Sequence, residues 1–321
     1  MKKYLQITML QAILAKRLMN NILDFLIIGA QKCATSWLYH CLRDHPGVHL
    51  PSVKREVIYL GGDFHQEHGT DWYLRHVGKS NTGQRVGDVS VDYLFDPRSP
   101  AAVEDELGDL KVIASLRSPL NRAVSSYFWN MRKMNVHELD PNEGLRRAIK
   151  EWKLKHPKTT YDPEEYYFNI VARGMYAEQL ERYVNQFGPE SVYLLYYEDI
   201  QERPLDTLRR LFRTLEVDPT FQPSSLSRRP KQNSYLRPLL RFEQATPNTT
   251  FWGKATDIAH QVACSIDLGQ KRPSLSDEVE DELQSLYEPS DDRLKDQVRR
   301  LPRSNVLTPE DPLPPWTTES S

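Results

Sequence analysis

Residues 24–46 read DFLIIGAQKCATSWLYHCLRDHP. The apolar run Phe25–Ile28 stops at Gly29, and a helical pattern begins within a few residues. Trp37 and Cys41, and Leu38 and Leu42, recur at four-residue spacing until HPG ends the element. The stretch predicts a buried strand feeding a helix through a turn that holds one lysine, Lys32, and the pair Thr35-Ser36. N–H groups at a helix N-terminus point outward without partners, and the helix dipole favours an anion there. Gly29 allows a tight turn, Lys32 can reach across it, and the hydroxyls of Thr35 and Ser36 add donors. Such a turn suits a phosphate. The Walker A loop would need G-x-x-x-x-G-K-[ST]. Here Ala34 and Thr35 stand at its Gly-Lys positions, and the lysine comes three residues before Thr35.

Working outward, KVIASL (Lys111–Leu116) predicts a second buried strand that ends on Arg117. Ser118 can cap the next helix, with Pro119 at its first position, and the pattern runs through Met134. Ser125 lies two turns along that helix, so Arg117 and Ser125 can share a second phosphate. Two anion sites at the ends of two parallel strands fit a nucleotide with two separated phosphates. REVIYL predicts a short extended piece, GTDWYLRHV a turn or two of helix, and Glu164–Phe187 one long helix with Tyr166, Ile170, Leu180 and Tyr183 in the core. SVYLLYY (Ser191–Tyr197) predicts a third strand, with a helix opening at Pro204 and late helices from LSDEVEDELQSLYEPSDDRLKDQVRRL. Strands alternating with helices imply an α/β, P-loop-like three-layer domain whose central, mostly parallel sheet is flanked by helices.

The 321 residues suffice for one large domain or two small ones, and 27% charged with 39% hydrophobic residues is ordinary for a globular chain. A formal charge of −2 gives no support for nucleic-acid binding. Three cysteines, Cys33, Cys41 and Cys264, make no disulfide framework and predict reduced thiols in a cytoplasmic protein. No run of 18 apolar residues predicts a transmembrane helix. Residues 1–23 predict an amphipathic helix packed on a domain spanning 24–301, and the Pro-, Ser- and Thr-bearing tail from 302 to 321 predicts a mobile end. His65 and His68 share a loop without further ligands, so no metal set is expected.

GAQKCATSWLYHCLRDHPGV followed by ASLRSPLNRAVSSYFW resembles the pair of cofactor motifs of the sulfotransferase family, which uses 3′-phosphoadenosine 5′-phosphosulfate (PAPS) and needs no metal. The likeness continues through RGMYAEQLERYVNQFGPESVYLLYYEDIQERPLDTLRRLFRTLEV and covers most of the chain from Asp24 to about Leu301. It implies that Lys32 acts on the oxygen bridging sulfate and 5′-phosphate. It also implies that Cys33, Ala34, Thr35 and Ser36 cradle the phosphate, and that Arg117 and Ser125 hold the 3′-phosphate. Tyr176 resembles a tyrosine that contacts the adenine, and Arg229 and Lys231 lie in a loop matching a second clamp on the 3′-phosphate.

KREVIYLGGDFHQEHGTDWYLRHV is most similar to the carbohydrate-type branch, which includes heparan sulfate sulfotransferases, and there Glu56 matches the catalytic base. His49 is the second candidate base, since other branches use a histidine. The chain departs from the heparan enzymes at Val89, where they carry lysine, and at Ile58, where some carry histidine. The expected reaction is sulfuryl transfer to a hydroxyl or amine of a carbohydrate or small-molecule acceptor. The alternatives are a P-loop kinase using ATP and magnesium, which the lysine spacing opposes, and a non-catalytic carbohydrate-binding protein, which Lys32 and Glu56 together oppose.

Overall fold

The computed structural model describes residues 23–51, 60, 63–156, 161–227, 273–308 and 311–317. They form two compact units. The first comprises the chain through Arg117, the stretch from Tyr176 to residue 227, and the part from Asp291 onward. The second comprises Ser118–Met175 and the segment ending at Ser290.

The strands are β1 (Phe25–Gly29), β2 (Val48–His49), β3 (Arg85–Val89), β4 (Lys111–Leu116) and β5 (Val192–Tyr196). The helices are α1 (Thr35–Asp44), α2 (Asp63–Val77), α3 (Ser99–Leu107), α4 (Pro119–Arg132), α5 (Pro141–Lys155), α6 (Tyr166–Ala172), α7 (Tyr176–Phe187), α8 (Tyr197–Glu202), α9 (Pro204–Thr214) and α10 (Asp277–Arg300).

All five strands are parallel, in the order β2-β3-β1-β4-β5. A parallel sheet is covered on both faces, so the neighbouring strands β1, β4 and β5 are mostly apolar rather than alternating. Leu26, Ile28, Val112, Ala114 and Leu194 pack on one side with α3 and α7, while Phe25, Ile27, Ile113 and Leu195 pack on the other with α1 and α9. This is the expected three-layer α/β arrangement. Each fully buried Leu, Ile or Phe contributes roughly 1.5–3 kcal/mol.

The strand order positions the site. From β1 the chain leaves for β2 on one side, returns through β3, and then passes to β4 on the other side of β1. The segments after β1 and β4 therefore diverge, which opens a crevice at the carboxyl ends of two neighbouring strands.

Several boundaries differ from expectation. The single helix expected over Glu164–Phe187 is two, α6 and α7, parted at Arg173-Gly174-Met175. Tight bonds from Gly174 N–H to Val171 O (2.9 Å) and from Met175 N–H to Ala172 O (3.1 Å) close the first of them. A side chain at Gly174 would approach the Tyr287 ring to 2.7 Å, so packing selects glycine there. The late helices are one, α10, continuing through Pro289. The third strand stops at Tyr196 because Tyr197 already opens α8.

The tail expected to be mobile is packed along residues 301–308. Leu307 N–H donates to Leu194 O (2.8 Å), Val306 bridges the edge of β5, and the Asn305 amide reaches the carbonyls of Pro189, Glu190 and Val192. The reason is an unpaired sheet edge, which this segment covers. The helix expected over 1–23 and the extended piece REVIYL lie outside the described residues, Leu23 and Leu60 apart.

Candidate active site

The turn between β1 and α1 is held in an unusual backbone conformation. Gly29 sits at φ 144°, where a Cβ would stand 3.0 Å from Val91 O and 3.1 Å from the Leu94 side chain, so only glycine fits. Lys32 (φ 71°) and Ala34 (φ 64°) are both left-handed. A non-glycine residue pays roughly 1–2 kcal/mol for that conformation, and such strain persists where the surroundings enforce it.

The enforcing contacts are visible. Ala30 N–H donates to Ser115 O (2.8 Å), and the buried Ser115 hydroxyl donates to Cys33 O (2.6 Å), so β4 grips the turn. Beneath it the Cys33 thiol lies 3.6 Å from the Tyr176 hydroxyl. Left-handed residues at alternate positions curl the backbone so that successive N–H groups face one concavity, an anion-binding shape. Thr35 and Ser36 open α1, where N–H groups have no acceptor inside the helix. Cys33 differs from expectation: its N–H turns inward to Ala30 O (3.3 Å), so the donor set starts at Ala34. The Thr35 side chain is buried and Ser36 is exposed.

Arg117 leaves β4 beside this turn. Its guanidinium lies 4.2 Å above the centre of the Tyr197 ring, a contact set by the β4–β5 register, which pairs Leu116 with Tyr196. Nη1 stands 3.5 Å from Lys32 O, too long for a strong bond, and the buried Nε has no acceptor among the described residues. An arginine held over an aromatic ring with a buried donor unused fits an oxyanion ligand. Lys32 and Arg117 thus come together at adjacent strand ends, as the sequence implied. Ser125 lies in the second unit on α4, whose start has the expected cap: Ser118 Oγ accepts from Asn121 N–H (3.4 Å) behind Pro119.

Tyr176, expected at the adenine, lies in the core of the first unit. It is fully buried, its hydroxyl meets Cys33 and its ring lies 6.4 Å from that of Trp316. In this position Tyr176 supports the turn through Cys33. His49 stands on the edge strand β2, where Nε2–H donates to Val77 O (2.8 Å) and pins α2. Glu56, Arg229 and Lys231 lie outside the described residues. Val89 ends β3 and packs on the hydrophobic cluster around α1. Beside it the Asp88 carboxylate accepts from Tyr73 OH (2.9 Å) and from Val89 N–H (2.7 Å), and burial raises its pKa.

Two contributors were missed in the sequence. Ser115 carries a signal, a hydroxyl inside an otherwise apolar strand. Tyr197 carries none, because its role depends on strand register.

Residues 23–296 match the family model described as a sulfotransferase domain. Among similar proteins is the membrane-associated sulfotransferase kil1 of Dictyostelium discoideum, 21% identical over 61% of this chain and 56% of that one. Another is the bifunctional heparan sulfate N-deacetylase/N-sulfotransferase 4 of Mus musculus, 24% identical over 92% of this chain and 31% of that one. The chain thus spans between just under a third and just over half the length of these relatives. A solved sulfotransferase from Alicyclobacillus acidocaldarius shares the fold, with a TM-score of 0.61 at 23% identity over 87% of this chain and 96% of that one.

Proposed function

Because the chain belongs to the sulfotransferase-domain family, we propose that it moves a sulfuryl group from PAPS to a hydroxyl or amine of a carbohydrate or small-metabolite acceptor. One observation carries this reading: a doubly left-handed turn around Lys32 stands beside an Arg117 whose buried Nε lacks an acceptor among the described residues, at the ends of two neighbouring parallel strands. N–H groups from Ala34 to Ser36 hold the 5′-phosphate, and Arg117 holds the 3′-phosphate, a role in which the resemblance also includes Ser125.

In the transfer, the acceptor oxygen or nitrogen forms a bond to sulfur while the bond from sulfur to the bridging oxygen breaks. The acceptor proton passes to the Glu56 carboxylate, a role implied by the resemblance, and 3′,5′-bisphosphoadenosine leaves. Lys32 offsets the charge that builds on the departing oxygen, the kind of preorganised electrostatic contribution that dominates many barriers. A relative named as a heparan sulfate N-sulfotransferase supports a carbohydrate acceptor, while Val89, in place of that branch's lysine, makes heparan sulfate itself the weaker choice.

The test pairs two measurements. Labelled PAPS is offered with a panel of sugars, amino sugars and small phenols, and product is read by mass. Binding of 3′,5′-bisphosphoadenosine and AMP is compared in wild type and Arg117→Ala. Loss of a charge-assisted contact costs about 1.5–3 kcal/mol, so bisphosphate affinity should fall by about tenfold or more while AMP changes little. In the transfer assay Lys32→Ala should lose roughly 10²–10³ in rate, and Glu56→Gln about 10² or more with nucleotide affinity kept. Equal loss for both nucleotides, or full turnover in folded Lys32→Ala, overturns the assignment.

A further inference from the structure

At the opposite end of the first unit's sheet, where the strands begin, a groove of about 570 Å³ lies between the last turns of α9, the starts of β4 and β5, and the chain at residues 303–307. Its lining is unequal in charge. Lys111, Arg210, Arg213 and Arg303 stand against a single carboxylate, Glu216. That carboxylate is already engaged: Lys111 Nζ lies 2.8 Å from it, and Arg85 from outside the groove also pairs with it. The Lys111 hydrogen bond and charge, with Arg85, hold the Glu216 carboxyl below its ordinary pKa. Among the described residues no carboxylate is paired with Arg210 or Arg213, whereas their neighbour Arg209 pairs with Asp206.

Arginines near a helix C-terminus often serve its orphan carbonyls. Here backbone groups serve them: Leu215 N–H donates to Leu211 O (2.9 Å), Val217 N–H to Phe212 O (3.0 Å) and Glu216 N–H to Arg213 O (3.0 Å). The guanidinium groups are therefore not consumed in capping.

The frame around them is rigid. Arg303 donates from Nη1 to Val306 O (2.8 Å) and from Nη2 to Thr308 O (3.3 Å), which fixes its orientation. Asn305 locks the same segment to the β5 edge, and buried Val306 and Leu307 form an apolar floor. Tyr193, Thr214 and Ser304 add hydroxyls to the lining. Guanidinium groups recognise tetrahedral oxyanions and carboxylates in bidentate fashion. Of Arg210, Arg213 and Arg303, only Arg303 is held in place, among the described residues, by bonds to backbone carbonyls, at 2.8 and 3.3 Å. The groove is far larger than one such ion and falls in the size range of small organic ligands.

We propose that this groove is a second binding site, for a sulfate or phosphate monoester carried on a sugar-sized organic group, held by Arg210, Arg213 and Arg303. It does not depend on the sulfuryl-transfer reading, because its residues lie at the other end of the strands from Lys32.

The test is calorimetric titration of the full chain, saturated with 3′,5′-bisphosphoadenosine to fill the nucleotide phosphate sites. The probes are N-acetylglucosamine 6-sulfate, N-acetylglucosamine 6-phosphate, unmodified N-acetylglucosamine and inorganic sulfate. We expect one or both esters to bind, the neutral sugar not to bind, and the double variant Arg210→Gln/Arg213→Gln to lose at least tenfold in ester affinity. Its melting temperature and its affinity for the bisphosphate should not change. If the double variant melts early, Arg213→Gln alone should still lose severalfold. The ester that binds more tightly identifies the natural source of the anion. Absence of ester binding, ester affinity undiminished in a folded variant, or inorganic sulfate binding as tightly as either ester would each overturn the proposal.

Discussion

Ala34 carries a methyl group in a backbone conformation that suits glycine, at φ 64° and ψ 14°. Relief of the left-handed strain, about 1–2 kcal/mol, offsets the extra unfolded-chain freedom that glycine brings, about 0.4–1 kcal/mol, together with the loss of a methyl group buried in the cluster around α1, about 0.8 kcal/mol. Ala34→Gly should therefore leave stability, read from thermal melts, within about 1 kcal/mol of wild type and nucleotide affinity intact; a larger loss of stability would mean that the turn is not strained at this residue. Tyr197 acts at the same scale on Arg117. A cation–π contact of this kind contributes about 0.5–2 kcal/mol. Tyr197→Leu should accordingly weaken 3′,5′-bisphosphoadenosine by about three- to thirtyfold, whereas Tyr197→Phe keeps the ring and the affinity. Equal losses in both variants would point to the hydroxyl and away from the stacked guanidinium.

Among the elements, the break between α6 and α7 has a cause that a helical pattern cannot register. Periodic apolar residues run through Ile170, Leu180 and Tyr183, and all three are buried as their spacing implies. What stops the helix is the Tyr287 ring of α10 against Gly174, with Tyr287 OH donating to Val171 O (3.1 Å). Forcing a methyl group into that contact is an overpacking change, typically about 1–3 kcal/mol. Gly174→Ala should lower the denaturant midpoint by a corresponding amount, although alanine is the better helix former. A stabilised variant would show that the break is set by local preference and not by packing. The edge of β5 follows the same logic: Pro-rich composition argues for mobility, but the Asn305 amide donates to carbonyls of Pro189 and Glu190, in the turn before the strand, and of Val192, its first residue.

For the molecule as a whole, stability should respond to pH through Asp291. Burial raises its carboxyl from 3.8 to about 6, partly offset by the hydrogen bond from Trp316 Nε1 (3.1 Å) and the charge of Lys295, with Asp292 adding to the rise. A folded pKa above the unfolded one means that the folded state holds the proton more tightly. The contribution is full below about pH 4 and is lost as pH rises through about 6, a loss of roughly 2–3 kcal/mol by neutral pH. Asp291→Asn keeps an oxygen for Trp316 and removes the titration. The variant should be the more stable at pH 7, and its stability relative to wild type should climb between pH 4 and 6 and then level off. A wild-type and variant pair whose unfolding curves run parallel across that window would contradict this account.

Much of the site was legible because its signals act within a few residues. An apolar run, a glycine, a lysine and a helical spacing specify β1, the turn and α1, and a serine before a proline specifies the start of α4. Those are steric and hydrogen-bonding preferences of neighbouring residues, and a single chain carries them openly. The strand order, the Arg117–Tyr197 contact and the burial of Tyr176 between Cys33 and Trp316 were decided only by the tertiary structure. In each case the partners lie far apart along the chain, and their meeting depends on register and packing summed over the whole sheet. A buried tyrosine and a ligand-facing one read alike as letters, and only the space around the hydroxyl separates them.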